Sequence, residues 1–114
     1  METREFHLGD ILSITTGYLV SRRHMKGVYD ILNFMTGDTL FTHQLPRAGD
    51  ECKPYLLKQF SQFTTPEMGS EVAELVEIFK TTSDGDEKGK LVAEWLAKQV
   101  TRYGGSIFSS SRYQ

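Results

Sequence analysis

The fold is decided by the stretch Met25-Lys26-Gly27-Val28-Tyr29-Asp30-Ile31-Leu32-Asn33-Phe34-Met35-Thr36, which Gly37 follows. Four apolar residues recur in it at the i, i+3, i+4 and i+7 spacing of one helical face: Val28, Ile31, Leu32 and Met35. Gly37 is suited to end a helix, because glycine adopts the left-handed conformation without steric cost. We therefore predict a helix from Met25 to Thr36, central to the core.

Two further helices are predicted next to this one. Residues 9–17 favour a short helix with Asp10 as its N-cap, although the β-branched residues within it also suit a strand. Pro46 lacks an amide hydrogen and restricts the residue before it, so we expect the following helix to begin only at Asp50.

The C-terminal half predicts two more helices. Thr65 is a good N-cap with Pro66 at the first helical position, and a fifth helix runs from about Glu87 to Tyr103. Short extended segments are expected near Tyr18–Val20 and Thr39–His43. The predicted fold is therefore mainly α, a compact single domain of about five helices with one or two short extended segments, and α+β is the alternative.

Length and composition limit the class of molecule. A chain of 114 residues suits one domain, which we expect over residues 1–105, with residues 106–114 as a flexible tail. The chain has one cysteine, no secretory signal at its N-terminus and no run of the ~20 apolar residues that cross a bilayer, so we expect a cytoplasmic protein without membrane association. A net charge of −2 disfavours direct nucleic-acid binding, because duplex binders are usually basic.

Two polar loops beside the central helix contain the candidate binding residues. The first holds the densest basic cluster: Arg22, Arg23, His24 and Lys26. Cations before a helix can bind an anion, such as phosphate or an acidic protein face, whereas a solvated connecting loop is the simpler interpretation. The second loop, residues 38–47, is either a rigid hydrogen-bonded turn or a pocket that presents three side chains: His43, Gln44 and Arg47.

An acidic series lies on the predicted fourth helix: Glu67, Glu71, Glu74 and Glu77. We expect a solvated helix face, or alternatively an interaction face that imitates the charge of nucleic acid. The glycines of the N-terminal half form no phosphate-binding loop and are interpreted as helix stops and turns: Gly9, Gly17, Gly27, Gly37 and Gly49.

The sequence contains no catalytic, metal or cofactor signature. The three histidines lack a metal-ligand spacing, so we predict neither a metal site nor a cofactor. Cys52, in the first turn of a predicted helix, would be activated as a nucleophile there, but an isolated cysteine more commonly fills a core. We therefore predict no catalytic residue.

Three motifs give the segment from Phe6 to Leu57 a recognisable pattern: Gly9-Asp10-Ile11-Leu12-Ser13, Gly27-Val28-Tyr29-Asp30-Ile31-Leu32-Asn33-Phe34-Met35-Thr36-Gly37-Asp38 and Phe41-Thr42-His43-Gln44-Leu45-Pro46-Arg47-Ala48. The segment resembles a family of small proteins encoded by bacteriophages, prophages and other mobile elements, a domain of unknown function. The resemblance implies a phage-related origin and no known activity. The acidic helix lies outside it.

Together these observations favour a binding protein without catalysis. The leading hypothesis is a phage or mobile-element accessory protein that binds a protein or protein complex in the cytoplasm of a bacterial host, with counter-defence (anti-CRISPR-like) inhibition as its specific form. One alternative is capture of a nucleotide or another phosphorylated small molecule through four residues: Arg22, Arg23, His43 and Arg47. A Cys52-dependent enzyme is the other alternative.

Overall fold

The computed structural model of this chain describes residues 3–111. Within that range it has five α-helices and two β-strands: β1 (Thr3–His7), α1 (Leu8–Thr16), α2 (Met25–Thr36), α3 (Leu45–Gln59), α4 (Pro66–Thr81), α5 (Gly85–Tyr103) and β2 (Ser106–Ser110). The radius of gyration, 13.7 Å, is close to the roughly 13 Å of a compact domain of this length. The prediction of a compact, mainly α fold is confirmed. None of the described helices is long and apolar enough to cross a membrane.

Helix α2 has the predicted bounds and lies at the centre of the core. Ile31 and Met35 are fully buried, and the helix packs against α1 and α3. Gly37 follows it with a φ of 74°, and its amide donates to the carbonyl of Asn33 at 2.9 Å. The apolar periodicity of this segment therefore predicted both the helix and its buried face.

Strands β1 and β2 form an antiparallel sheet that joins the two ends of the described chain, with Thr3 opposite Ser110 and His7 opposite Ser106. Gln59 of α3 supports this sheet, because its side-chain amide donates to the Ser110 carbonyl at 3.1 Å and accepts from the Ser110 amide at 2.9 Å. The structure thus corrects one expectation: residues 106–110, predicted within a flexible tail, form a paired strand. Residues 112–114 of that predicted tail lie outside the described residues.

Extended segments were expected at Tyr18–Val20 and at Thr39–His43, the second as a short strand or an extended loop, and neither forms a strand. The first is an irregular loop that buries Val20 in the core, and the second leads into a 3-10 turn at Thr42–Gln44. The amide of Leu40 donates to the side chain of Asn33 at 2.9 Å, so this backbone is satisfied by α2 and not by a strand.

Helix α3 begins at Leu45, earlier than the predicted start at Asp50. Pro46 lies in its first turn, where a missing amide hydrogen costs nothing because those amides have no intrahelical partner. The proline therefore helps to start the helix, which the sequence interpretation had excluded. As a result Cys52 lies inside the helix, fully buried, and not in an exposed first turn.

Helix α1 is capped by His7 and not by the predicted Asp10. The Nδ1 atom of His7 accepts the amide hydrogen of Gly9 at 3.0 Å, so the helix begins at Leu8. Asp10 is instead fully buried in the first turn of α1.

The interpretation of the glycines is correct for two positions and wrong for three. Gly17 and Gly37 follow helices at positive φ, as predicted. The other three lie inside helices α1, α2 and α3: Gly9, Gly27 and Gly49. At Gly9 the reason is close packing, because a Cβ there would lie 3.0 Å from the carbonyl oxygen of Val20.

Helices α4 and α5 pack against each other. Thr65 caps α4 as predicted, since its hydroxyl accepts the amide hydrogen of Met68 at 3.2 Å. Helix α5 begins at Gly85, with Asp84 as N-cap, two residues before the predicted start. The indole nitrogen of Trp95 donates to the carbonyl of Glu71 at 2.8 Å and ties the two helices together.

Candidate functional site

The basic loop, residues 21–26, is held in place by one arginine between two carboxylates. Nη2 of Arg23 lies 2.7 Å from Oδ2 of Asp10, and Nη1 lies 2.6 Å from Oδ2 of Asp30. The Ser21 hydroxyl donates to Oδ1 of the same buried Asp10 at 2.5 Å. Hydrogen bonds to Asp10 and then to Asp30 raise the pKa of Arg23 above its ordinary value. Arg23 therefore joins the loop to α1 and α2, and its charge is neutralised within the fold.

Gly27, in the first turn of α2, makes room for this network. A Cβ at this position would lie 2.2 Å from both Oδ1 of Asp10 and Oγ of Ser21. Glycine is thus required by the close approach of the Asp10–Ser21 hydrogen bond to the backbone of α2.

The other basic residues of the loop point to solvent. Arg22, His24 and Lys26 are exposed, and none forms an ion pair with another residue in the range 3–111. His24 has φ 54° and ψ −134°, a conformation that residues other than glycine rarely adopt. The predicted basic cluster is therefore divided: Arg23 is structural, and the side chains of Arg22, His24 and Lys26 are available to a ligand or partner.

The turn of residues 38–47 contributes to a concavity of about 510 Å³. The concavity is lined by the three predicted pocket residues and by two carboxylates: His43, Gln44, Arg47, Asp38 and Glu51. Nε of Arg47 lies 3.1 Å from Oε1 of Glu51, and Oε1 of Gln44 accepts the amide hydrogen of Phe41 at 2.8 Å. The turn is thus hydrogen-bonded and also lines a concavity. It has features of both structures considered from the sequence, a rigid turn and a pocket.

The basic side chains of the loop and those of the turn of residues 38–47 line different cavities. Arg22 and His24 line a cavity beside α5, whereas His43 and Arg47 line the concavity beside α2 and α3. The four residues proposed to bind one phosphorylated ligand are therefore distributed over separate sites, and Arg23 among them is already ion-paired.

An apolar groove of about 460 Å³ lies at the junction of α1, α2 and α3. Its apolar lining includes Ile14, Leu19, Met25, Val28, Leu45 and Pro46. Leu19 and Met25 are 39% and 41% exposed, which is high for large apolar side chains. Phe41, which precedes the lining residue Thr42, is 68% exposed, and its ring stacks on that of His43 at 6.1 Å. The groove thus combines an open cavity with solvent-exposed apolar side chains.

Sequence reasoning missed this groove, because its lining comes from several separate segments. The available signal was the position of Met25 and Leu19. Met25 lies at the start of α2, one turn before Val28 on the same helical face, and Leu19 lies in the loop between α1 and α2.

The acidic series on α4 is paired with α5 and is not a free charged face. Glu71, expected on the solvent side, is 8% exposed. Lys98 lies 2.9 Å from Glu71 and 3.6 Å from Glu74, and Arg102 lies 3.2 Å from Glu71 and 2.5 Å from Glu67. The hydrogen bond from Lys98 is the largest cause that lowers the pKa of Glu71. Of the series Glu67, Glu71, Glu74 and Glu77, only Glu77 makes no such pair within residues 3–111.

Neither a thiol nor a metal-ligand cluster is presented to solvent by the part of the chain that the structure describes. Cys52 is fully buried among core side chains, so a substrate could reach its sulfur only after local opening of the fold. In the range 3–111, no three His, Cys, Asp or Glu side chains are grouped in a way that could hold a metal ion.

Comparison with known proteins gives a match to a family. A domain of unknown function, DUF7736, matches residues 6–65, which is more than half of the chain. The match includes the basic loop, the turn of residues 38–47 and every residue that lines the apolar groove, and it ends immediately before α4. No curated protein and no solved structure matches the chain.

Proposed function

This chain belongs to the DUF7736 family of unknown function, and from that premise we propose that it is a phage or mobile-element accessory protein without catalytic activity. It binds a protein of the bacterial host, and its specific role is to inhibit host defence in the manner of an anti-CRISPR protein. The observation that carries the binding role is the solvent-open apolar groove at the junction of α1, α2 and α3.

The composition of the groove suits a protein partner. The centres of protein interfaces are enriched in methionine and aromatic residues and are bordered by polar ones. Met25 and the neighbouring Phe41 are large apolar side chains left in water, while Thr42 and Asp50 supply polar groups at the groove. Methionine also adapts its flexible side chain to an irregular partner surface. Covering these side chains would remove apolar surface from water, which is the main driving force of association.

The two alternatives have less structural support. Nucleotide capture needs several cations at one phosphate, but Arg22 lies apart from His43 and Arg47, and Arg23 is occupied by two carboxylates. A cysteine enzyme needs an accessible thiolate, and Cys52 is buried.

A pair of glycine variants tests the groove. Gly49 lines it, and a Cβ at Gly49 meets no atom within 4 Å, so Gly49→Trp can fill the groove without displacing the backbone. Gly69 of α4 has the same open surroundings and lies outside the groove, so Gly69→Trp is the matched control.

We expect the wild-type chain and the Gly69→Trp variant to retain the same stoichiometric partner from a bacterial lysate, and the Gly49→Trp variant to lose it. The readout is affinity capture followed by mass spectrometry and by titration of the purified partner. Capture of no partner by the wild-type chain rejects the binding role, and equal capture by all three proteins rejects the groove as the binding surface. A partner outside host defence rejects only the counter-defence role.

A further inference from the structure

A second cavity, which shares only Leu19 with the lining of the apolar groove and differs from it in charge, lies between the basic loop and α5. Its volume of about 450 Å³ falls within the roughly 300–1,000 Å³ range of small-molecule pockets. Most of its walls are apolar: Leu19, Val20, Phe79, Val92 and Leu96. We call it the α5 cavity.

Three basic side chains line the α5 cavity: Arg22, His24 and Lys88. Within residues 3–111, none of them is ion-paired, and no acidic side chain lines the cavity. Nζ of Lys88 lies 5.4 Å from the centre of the Phe79 ring, so a cation–π contact holds the ammonium group at the apolar wall. The acidic groups nearby in sequence belong to the first turn of α5, where the Asp84 carboxylate accepts the amides of Asp86 and Glu87.

This combination distinguishes the α5 cavity from the apolar groove and from the concavity at residues 38–47. At the turn of residues 38–47, Arg47 is ion-paired with Glu51, and Asp38 adds a second carboxylate. The apolar groove is lined by Asp50 and, among the described residues, by no basic side chain. Of these three cavities, the α5 cavity is the one that places unpaired arginine and lysine side chains beside an apolar wall.

We propose that the α5 cavity binds a small organic anion with an apolar body, of the class of medium-chain carboxylates. Its carboxylate lies between Arg22 and Lys88, and its apolar body covers Val92 and Leu96. Guanidinium and ammonium groups form charge-assisted hydrogen bonds with a carboxylate, and burial of the alkyl body removes apolar surface from water. An inorganic anion gains only the first contribution, and a neutral alcohol gains only the second.

The ligand series follows from these two contributions. Decanoate, kept below its micelle concentration, is titrated into the full chain at low ionic strength by isothermal calorimetry, with decanol and inorganic phosphate as the comparison ligands. We expect decanoate to bind at least about tenfold more tightly than either comparison ligand, and its affinity to fall as salt screens the charges. Equal affinity for decanoate and decanol, or for decanoate and phosphate, overturns the proposal.

Variants locate the binding. Arg22→Gln and Lys88→Gln should each weaken decanoate binding by about tenfold or more, whereas Lys90→Gln, an exposed α5 position outside the cavity, should leave it unchanged. Gly89→Phe should block the cavity, since a Cβ at Gly89 meets no atom within 4 Å.

Circular dichroism and melting temperature establish that each variant is folded. Gly69→Phe is the control for Gly89→Phe, because Gly69 is also an unobstructed helical glycine and lies outside the cavity. Decanoate binding that survives Gly89→Phe or is insensitive to both charge variants places the ligand elsewhere and overturns the assignment. Binding of an acidic peptide without binding of decanoate also overturns the assignment. Gly49 does not line the α5 cavity, and Arg22, Lys88 and Gly89 do not line the apolar groove, so failure of the proposed function and failure of this proposal are distinguishable.

Discussion

Replacement of Gly27 by alanine should destabilise the protein, whereas the same replacement at Gly49 or Gly69 should stabilise it. All three glycines lie inside helices, where alanine is normally favoured over glycine by about 0.5–1 kcal/mol. The positions differ in their surroundings. A Cβ at Gly49 or Gly69 meets nothing within 4 Å, whereas at Gly27 it lies 2.2 Å from Asp10 and from Ser21.

The size of the destabilisation by Gly27→Ala depends on the side chains that the new methyl group must displace. The two atoms that the new methyl group meets, Oδ1 of Asp10 and Oγ of Ser21, are the two ends of one buried hydrogen bond. Overpacking of a filled site costs about 1–3 kcal/mol. Loss of a buried hydrogen bond to a charged group costs about 1–3 kcal/mol more, because the carboxylate remains desolvated. After the gain in helix propensity is subtracted, Gly27→Ala should lower the free energy of unfolding by about 1–5 kcal/mol.

Urea unfolding followed by circular dichroism measures this change. With a urea dependence of about 2 kcal/mol per molar for a small domain, the midpoint should fall by about 0.5–2.5 M for Gly27→Ala and rise slightly for Gly49→Ala and Gly69→Ala. The double variant Ser21→Ala/Gly27→Ala should lose less than the sum of its parts, because one of the two colliding atoms is gone. A Gly27→Ala midpoint at or above that of the wild-type protein would refute the close approach of this network to α2.

Three further predictions concern pH, the α4–α5 pairing and backbone strain. Burial, and then the charge of Arg22, lower the pKa of His7, so the neutral imidazole that caps α1 is favoured in the folded state. The stabilisation by this cap is therefore complete above the unfolded pKa of about 6.5 and is lost as the pH falls through the lower folded pKa of His7. The melting temperature of the wild-type protein should drop over this pH range. It should drop less in His7→Asn, because asparagine caps a helix without titrating. Glu71→Gln should lower the free energy of unfolding in urea by about 1–3 kcal/mol, because Lys98 and Arg102 lose their buried partner. The control is Glu77→Gln on the same helix, which should change the free energy of unfolding by less than about 0.5 kcal/mol. His24→Gly should raise the free energy of unfolding by about 1 kcal/mol by relieving the positive φ, and an unchanged or lower midpoint would show that this conformation carries no strain.

The sequence predicts those parts of the fold whose signals are local. Helix α2 has apolar periodicity and a terminal glycine within 13 consecutive residues, and α4 begins at an adjacent threonine and proline, so both starts are read correctly. The sheet escapes prediction because Thr3 pairs with Ser110, and neither strand alternates clearly between apolar and polar residues. Pro46 misleads because the same missing amide that breaks a helix interior suits a helix start.

The candidate sites show the same limit. The basic loop is recognisable in the sequence as a charge cluster. Only the fold shows that Arg23 forms ion pairs with Asp10 and Asp30 and is therefore not free to bind a ligand. The acidic series is recognisable too, but Glu71 is buried because Lys98 and Arg102 approach it from a different helix. A charge pattern in the sequence identifies side chains that can form ion pairs. Which oppositely charged side chain each one pairs with depends on contacts between residues that are distant in sequence.

The two candidate binding sites differ in how they depend on the matched segment. The apolar groove is built only from residues within 6–65, whereas the α5 cavity needs the matched basic loop and the unmatched residues Phe79, Lys88 and Val92. Residues beyond 65 also complete the fold of the matched segment, since β2 pairs with β1 and Leu96 packs against Gly9. A function that belongs to the DUF7736 segment itself is therefore best sought in the groove. A function that depends on the C-terminal helices of this chain is best sought in the α5 cavity, because both parts of the chain supply its walls and its charges.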